Sequence, residues 1–341
     1  MRRVVLALAL IVAAGLGSKA WAGVMRLSYA NFFPPTHVQS RLAEAWCREV
    51  ERLSGGRIKI DYFPGQSLVR AAQSYEAVAS GICEIAMGCF AYTRGRFPVM
   101  EVVDLPLGYR NALEATKVAN ILMRELKPRE LRDVKILYLH AHGPGMIHTR
   151  TRAVQRLEDL KGLKLRAHGT SALVAKALGA AVVSMPMPQV YQALARGVAD
   201  GALYPLEANL GWRLMEVVRY VTLETSTGYT TCFFVAMNRR VWEGLPAKLR
   251  HKIEALDRRW AIKSARAWDE ADTAGLKALL RLPGRKAVRL SQGERCRWQK
   301  AARKVWEEYM ARASAKGIDG KRVLATALEI LSRVRKENAQ H

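Results

Sequence analysis

Between Leu160 and Leu206 the chain reads L-K-G-L-K-L-R-A-H-G, then a helix-compatible run, then S-M-P-M-P-Q-V-Y-Q-A-L-A-R-G-V-A-D-G-A-L-Y-P-L. A strand-like run ends on a single arginine, Arg166. A helix and a second strand follow, then a proline-started helix, a tight turn at Asp200-Gly201 and a third short strand. Strands alternating with helices at this spacing call for βαβ units and a parallel sheet. Open sheets of that kind bind ligands at the carboxyl ends of their strands, which is where Arg166 falls. A guanidinium fixed there is a bidentate cation whose geometry suits a carboxylate.

The first half of the chain repeats the alternation. Val24 to Ala30 reads as a strand, and Val38 to Ser54 as a helix with Leu42, Ala45, Trp46, Val50 and Leu53 on one face. Gly55-Gly56 stops that helix. Ile58 to Phe63 is a second strand, Ser67 to Ser80 a helix ending at Gly81, and Glu84 to Met87 a third strand. Pro246 to Leu282 predicts one long helix with a break near Gly275. At about 1.5 Å per residue it spans about 50 Å, enough to cross two lobes. Helices over Gln292–Ala313 and Lys321–Asn338 complete the chain.

Met1-Arg2-Arg3, the apolar run Val4 to Leu16 and the Ala20-Trp21-Ala22 site have the makeup of a cleaved secretory signal peptide, 1–22. The apolar run is shorter than the roughly 20 residues a membrane span needs. Export places the mature protein in the periplasm. The balance of Lys and Arg over Asp and Glu is +25, and without Arg2, Arg3 and Lys19 it falls by three to +22. Basic residues such as Arg250, Lys252, Arg258 and Arg259 are interleaved with Glu254 and Asp257. No basic run carries stacking aromatics, so the charge reads as a solvated surface that draws anions, not as a nucleic-acid site. The five cysteines cannot all pair internally. Cys83 and Cys89 flank a strand, about 20 Å apart at ~3.3 Å per residue, too far for a bridge needing roughly 7 Å.

Motifs for catalysis are missing: there is no G-x-S-x-G, no Walker A and no G-x-G-x-x-G. His140-Ala141-His142 is the one metal-like pattern, since alternation along a strand points both rings to one face. It keeps open a rival reading, an exported metal-dependent hydrolase using His140 and His142. No cofactor is expected.

The order of Pro34-Pro35-Thr36-His37, Tyr62-Phe63-Pro64-Gly65-Gln66, Asp104-Leu105-Pro106-Leu107, the Leu160–Leu206 stretch and Phe234-Val235-Ala236-Met237-Asn238 resembles the solute-binding proteins of TRAP (tripartite ATP-independent periplasmic) transporters across essentially the whole mature chain. The resemblance implies an α/β, two-lobe periplasmic-binding-protein fold with hinge strands and a long helix spanning both lobes. It implies lobe I from 23–143 plus 232–270, and lobe II from 144–231 plus 271–341, with crossings near His142 to Gly145 and Thr230 to Phe234. It implies an organic acid clamped by Arg166 in the interlobe cleft and handed to membrane permease subunits by a monomeric protein. A binding protein serving a sensor kinase is the other partner reading.

Sialic-acid-binding members of that family carry a second arginine about twenty residues before the clamp, where this chain has Met146, and an asparagine where it has Tyr204. Met146, Met187 and Tyr204 suggest an apolar wall and a smaller or aromatic carboxylate. From lobe I, Tyr29, Asn31, Phe33 and Tyr92 are expected to face the cleft. Glu207, at the start of the helix after Tyr204, completes the candidate ligand-binding set.

Overall fold

The computed structural model describes residues 23–225 and 227–338; the leader at 1–22 lies outside the described residues. The chain opens β1 (Met25–Ala30), α1 (Val38–Leu53), β2 (Ile58–Phe63), α2 (Ser74–Ser80) and β3 (Ile85–Cys89). Helix α2 is half the expected length. Gln66 takes a left-handed φ of 64° and its side chain accepts the Ala71 N–H at 2.9 Å, so the 66–71 segment closes as a loop before the helix starts. There follow α3 (Ala112–Leu126), β4 (Val134–Ala141), β5 (Met146–Thr149), β6 (Lys164–Ala167), α4 (Gly169–Ala177), β7 (Ala181–Ser184), α5 (Val190–Ala195), β8 (Gly201–Tyr204), α6 (Ala208–Gly211) and β9 (Tyr220–Leu223). The chain ends with β10 (Cys232–Asn238), α7 (Arg239–Gly244), α8 (Ala247–Leu280), β11 (Lys286–Arg289), α9 (Gln292–Ala302), α10 (Lys304–Ser314) and α11 (Gly320–Asn338).

Two sheets result, one per lobe: β2-β1-β3-β10-β4 and β11-β9-β5-β8-β6-β7. Each is parallel except for one strand, β10 in the first and β5 in the second. The two exceptions share a cause. Both strands arrive from the other lobe, so both start at the cleft edge, where the parallel strands end, and must run the other way. The crossings lie at 142–145 and 224–231, the second earlier than expected because Phe233 and Phe234 already belong to β10. They are bonded to each other: Gly145 N–H donates to Tyr229 O at 3.0 Å and Thr230 Oγ1 donates to His142 O at 2.6 Å.

Helix α8 is the third link. Its 34 residues run unbroken, with no break at Gly275. That glycine serves packing instead: a Cβ there would sit 2.1 Å from Leu206 O and 2.8 Å from Glu207 Cα, so only glycine lets the second lobe rest on the helix. Ile253, Leu256, Trp260 and Trp268 pack into the first lobe and Leu279 into the second. Two carboxylates one turn apart fasten both sides. Asp269 accepts the Ala112 N–H at 2.7 Å, and Asp272 accepts the Glu207 N–H at 2.8 Å. The expected 292–313 helix is divided at Arg303 into α9 and α10. Helix α11, grouped with the second lobe by the sequence, lies along α3 of the first, with Arg335 on Glu114 (3.1 Å) and Arg333 on Glu125 (2.6 Å). All five cysteines are free, and only Cys296 is exposed. Among the described residues no helix is long and apolar enough to cross a membrane.

Candidate ligand-binding cavity

Between the lobes lies a cavity lined from both of them. Its wall is made where parallel strands end: Phe32 and Phe33 after β1, Tyr92 after β3, His142 after β4, Arg166 and His168 at β6, Met187 after β7, and Leu203 to Glu207 at β8. Tyr229, Thr231 and Phe233 enter from the second crossing, Trp212 from beyond α6 and Trp268 from α8.

Arg166 is 0% exposed. Alternation along β6 turns Leu165 and Ala167 into the lobe core and Arg166 and His168 into the cavity. The guanidinium is aimed by one carbonyl: Nε and Nη2 donate to Met185 O at 2.9 and 2.8 Å. The Tyr92 hydroxyl also partners the guanidinium, and the remaining contacts are long, Nη1 to Leu203 O at 3.4 Å and to Met187 Sδ at 3.7 Å. Burial lowers its pKa, and among the described residues no carboxylate pairs with it. A buried cation with no anion is costly unless something supplies the missing charge.

Further donors and acceptors stand around it. Tyr92 Oη accepts the Met187 N–H at 3.0 Å, which leaves its own hydroxyl hydrogen free. Tyr229 Oη and both ring nitrogens of His168 are buried without a hydrogen-bond partner. Buried polar atoms are rarely left so. Burial, with Arg166 second, holds His168 well below the usual histidine range. Burial likewise pushes His142 down to about 4, while its Nδ1 bonds Gly143 O. Both rings are neutral at pH 7.

The rest of the wall is aromatic. Phe32 stacks on Phe33 with centroids 4.4 Å apart, and Phe233 on Trp268 at 5.5 Å. His140 lies behind them, stacked on Phe233 at 5.1 Å and accepting the Trp268 indole N–H at 2.9 Å. It positions a cavity ring and does not face the cavity. Among the described residues no group of three or more His, Cys, Asp or Glu is placed to hold a metal ion, so the His140/His142 hydrolase reading finds no ligand set.

Of the residues singled out from the sequence, the structure brings Arg166, Met187, Tyr204, Phe33, Tyr92 and Glu207 together on this wall. Tyr29, Asn31 and Met146 lie elsewhere, a correction to the expected set. The Tyr29 ring is packed edge-on against Trp46 (6.0 Å) and Tyr62 (5.4 Å) on the α1 side of the sheet. Asn31 bonds Tyr62 Oη through Nδ2 and the Phe33 N–H through Oδ1, shaping the turn that presents Phe32 and Phe33. Met146 sits opposite Tyr204 on the neighbouring strand, where its Sδ accepts the Glu224 N–H at 3.3 Å. Tyr204 is clamped flat on His148 at 3.8 Å and donates to Asn209 Oδ1 at 3.4 Å. The sequence reading missed His168, Trp212, Tyr229, Thr231, Phe233 and Trp268. His168 was within reach, two residues past Arg166 and so on the same face.

The DctP family model, described as bacterial extracellular solute-binding protein, family 7, matches residues 29–313. A solute-binding protein of Albidiferax ferrireducens is 28% identical over 311 residues, covering 86% of this chain and 90% of its own length. Among solved structures, a TRAP solute-binding protein from Rhodoferax ferrireducens, in complex with copurified benzoate, is similar at a TM-score of 0.86 and 28% identity, covering 92% of this chain and 100% of that one. A marine-metagenome TRAP solute-binding protein specific for aromatic acids, with 3-hydroxybenzoate, matches at 0.86 and 27%, covering 92% and 99%.

Proposed function

Since the chain belongs to family 7 of the bacterial extracellular solute-binding proteins, the DctP-type TRAP subunits, we propose that it captures an aromatic monocarboxylate between its lobes and delivers it to a membrane permease. The observation that carries this reading is Arg166, a fully buried guanidinium with no acidic partner among the described residues, set in a cavity walled by aromatic rings. The ligand carboxylate supplies the missing charge, taking the free N–H groups of Arg166 and the hydroxyl hydrogens of Tyr92 and Tyr229. The ligand ring fills the space between Phe33, Phe233 and Trp268. The benzoate and 3-hydroxybenzoate held by the two similar structures support the same class.

Uptake in this reading is a hinge motion. The two lobes, joined by the strand crossings and along α8, close because the ligand bonds groups of both only in the closed state. The +22 surface steers acids towards the cleft. The protein works as a monomer in the periplasm after removal of 1–22, without a cofactor and without catalysis. The test is thermal unfolding against a panel of carboxylates, wild type beside Arg166→Ala. A ligand at 100-fold excess over Kd adds about 2.7 kcal/mol to the native state. Benzoate-like acids are expected to raise the wild-type midpoint and leave that of the variant unchanged. No shift with any acid, after unfolding and refolding to strip carried-over ligand, overturns the reading.

A further inference from the structure

The cavity wall carries a second charged side chain. Glu207 is 3% exposed and lines the same space as Arg166. Its Oε2 lies 3.0 Å from His37 Nε2. Gly211 presses on that oxygen so closely that a Cβ there would be 2.5 Å away. The other nitrogen of His37 settles the tautomer: Nδ1 accepts the Gln39 N–H at 3.1 Å, so Nε2 carries the hydrogen, and it lies beside the carboxylate without a hydrogen bond to it. Among the described residues no Lys or Arg pairs with Glu207, and no hydrogen bond to its carboxylate is present. The rings of Phe33, Trp212 and Trp268 surround the pair, with centroids 4.2, 5.9 and 5.6 Å from that of His37.

The cavity therefore holds one cation and one anion, with no ion pair between them and rings around both. A buried carboxylate that meets one ring nitrogen and accepts no hydrogen bond is as incomplete as a buried guanidinium without an anion. We infer that Glu207, positioned by His37, determines specificity by accepting a hydrogen bond from a hydroxyl on the ligand's ring and by repelling a second carboxylate. This rests on the reading of Arg166 as the carboxylate clamp. The preferred class is then a hydroxylated aromatic monocarboxylate, with the unsubstituted acid weaker and a benzene dicarboxylate excluded. The bond is charge-assisted and desolvated, which strengthens it. A site built around a substrate hydroxyl discriminates against the analogue lacking it, because the buried acceptor is then left bare.

His37 comes from the first lobe and Glu207 from the second, so the competing explanation is a latch that merely holds the lobes shut. Calorimetric titration of benzoate, 3-hydroxybenzoate, 4-hydroxybenzoate and isophthalate into wild type, Glu207→Gln, Glu207→Leu and His37→Asn separates the two. His37→Asn keeps a side-chain acceptor for the Gln39 N–H and removes the ring nitrogen that meets Glu207. The readout is the affinity ratio of the better hydroxybenzoate to benzoate. It is expected to be tenfold or more in wild type, to fall at least threefold in Glu207→Gln and His37→Asn, and to approach one in Glu207→Leu. Isophthalate binding appears only in the Glu207 variants. A ratio that survives while both ligands weaken together marks a latch and overturns the inference. A wild-type ratio near one, with benzoate binding lost in Arg166→Ala, overturns it while leaving the clamp intact. No binding of any acid to wild type overturns the clamp, and this inference with it.

Discussion

The two walls of the cavity are built to different rules. The second lobe contributes both charged side chains, Arg166 and Glu207, on or beside strand ends whose backbone fixes them. The first lobe contributes Phe32, Phe33, Tyr92 and Phe233, with Trp268 from the spanning helix, and no charge. The formal charges belong to one wall; the other is mainly rings and adds one hydroxyl, that of Tyr92. In the proposed reading the aromatic wall shuts water out around a carboxylate held by the charged wall, which strengthens that contact.

Breaking the charged wall has the largest expected effect. Arg166→Ala lowers benzoate affinity at least a hundredfold by calorimetry, and Arg166→Lys, which keeps charge without the fork, at least tenfold. Equal losses from Arg166→Ala and from a first-lobe ring substitution would erase the distinction between the walls. The joint between the lobes comes next. Gly275→Ala drives a methyl into the Leu206 carbonyl and is expected to cost about 1–3 kcal/mol in urea unfolding. On the aromatic wall, Phe33→Leu removes ring contact but not polar contact, with about a tenfold loss of benzoate affinity, or ~1.4 kcal/mol.

The smallest effect is one of pH. Burial pushes Asp257, which accepts the Trp46 indole N–H at 2.9 Å, up to about 8. A carboxyl raised on folding binds its proton more tightly in the native state. Its contribution is full below the unfolded value of about 4 and declines as pH rises towards 8. Burial depresses His140 to about 3 and His142 to about 4, with the opposite sign: their contribution is present above the unfolded value of about 6.5 and is lost as pH falls. Asp257→Asn keeps the acceptor for Trp46 and should flatten the decline between pH 6 and 8 in urea unfolding, leaving the acid limb in place.

The difference between the walls also explains what the sequence revealed. Arg166 was legible because a lone arginine at the end of an apolar strand has no structural reason to be there. Met187 and Tyr204 came from how the chain departs from the sialic-acid-binding pattern of the resembled family, and Glu207 from its place at the start of the helix after Tyr204. The first-lobe wall was legible only in part: Phe33 and Tyr92 were expected at the cleft, whereas Phe32, Phe233 and Trp268 obey the same strand and helix periodicities as core residues. Sequence pattern separates buried from exposed, but not a dry core from a cavity lining. Tyr29 illustrates the point: strand alternation predicts that it is buried, and it is, against Trp46 rather than at the cleft. Gly275 misled for a different reason. A glycine within a helix reads as weakness, whereas here it allows the close approach of Leu206 and Glu207 to α8.

The most direct test of the account is a crystal structure of the protein with benzoate. The account predicts the carboxylate within hydrogen-bond distance of the Arg166 guanidinium and the ring enclosed by Phe33, Phe233 and Trp268. A carboxylate turned away from Arg166, or benzoate seated outside this cavity, would contradict it.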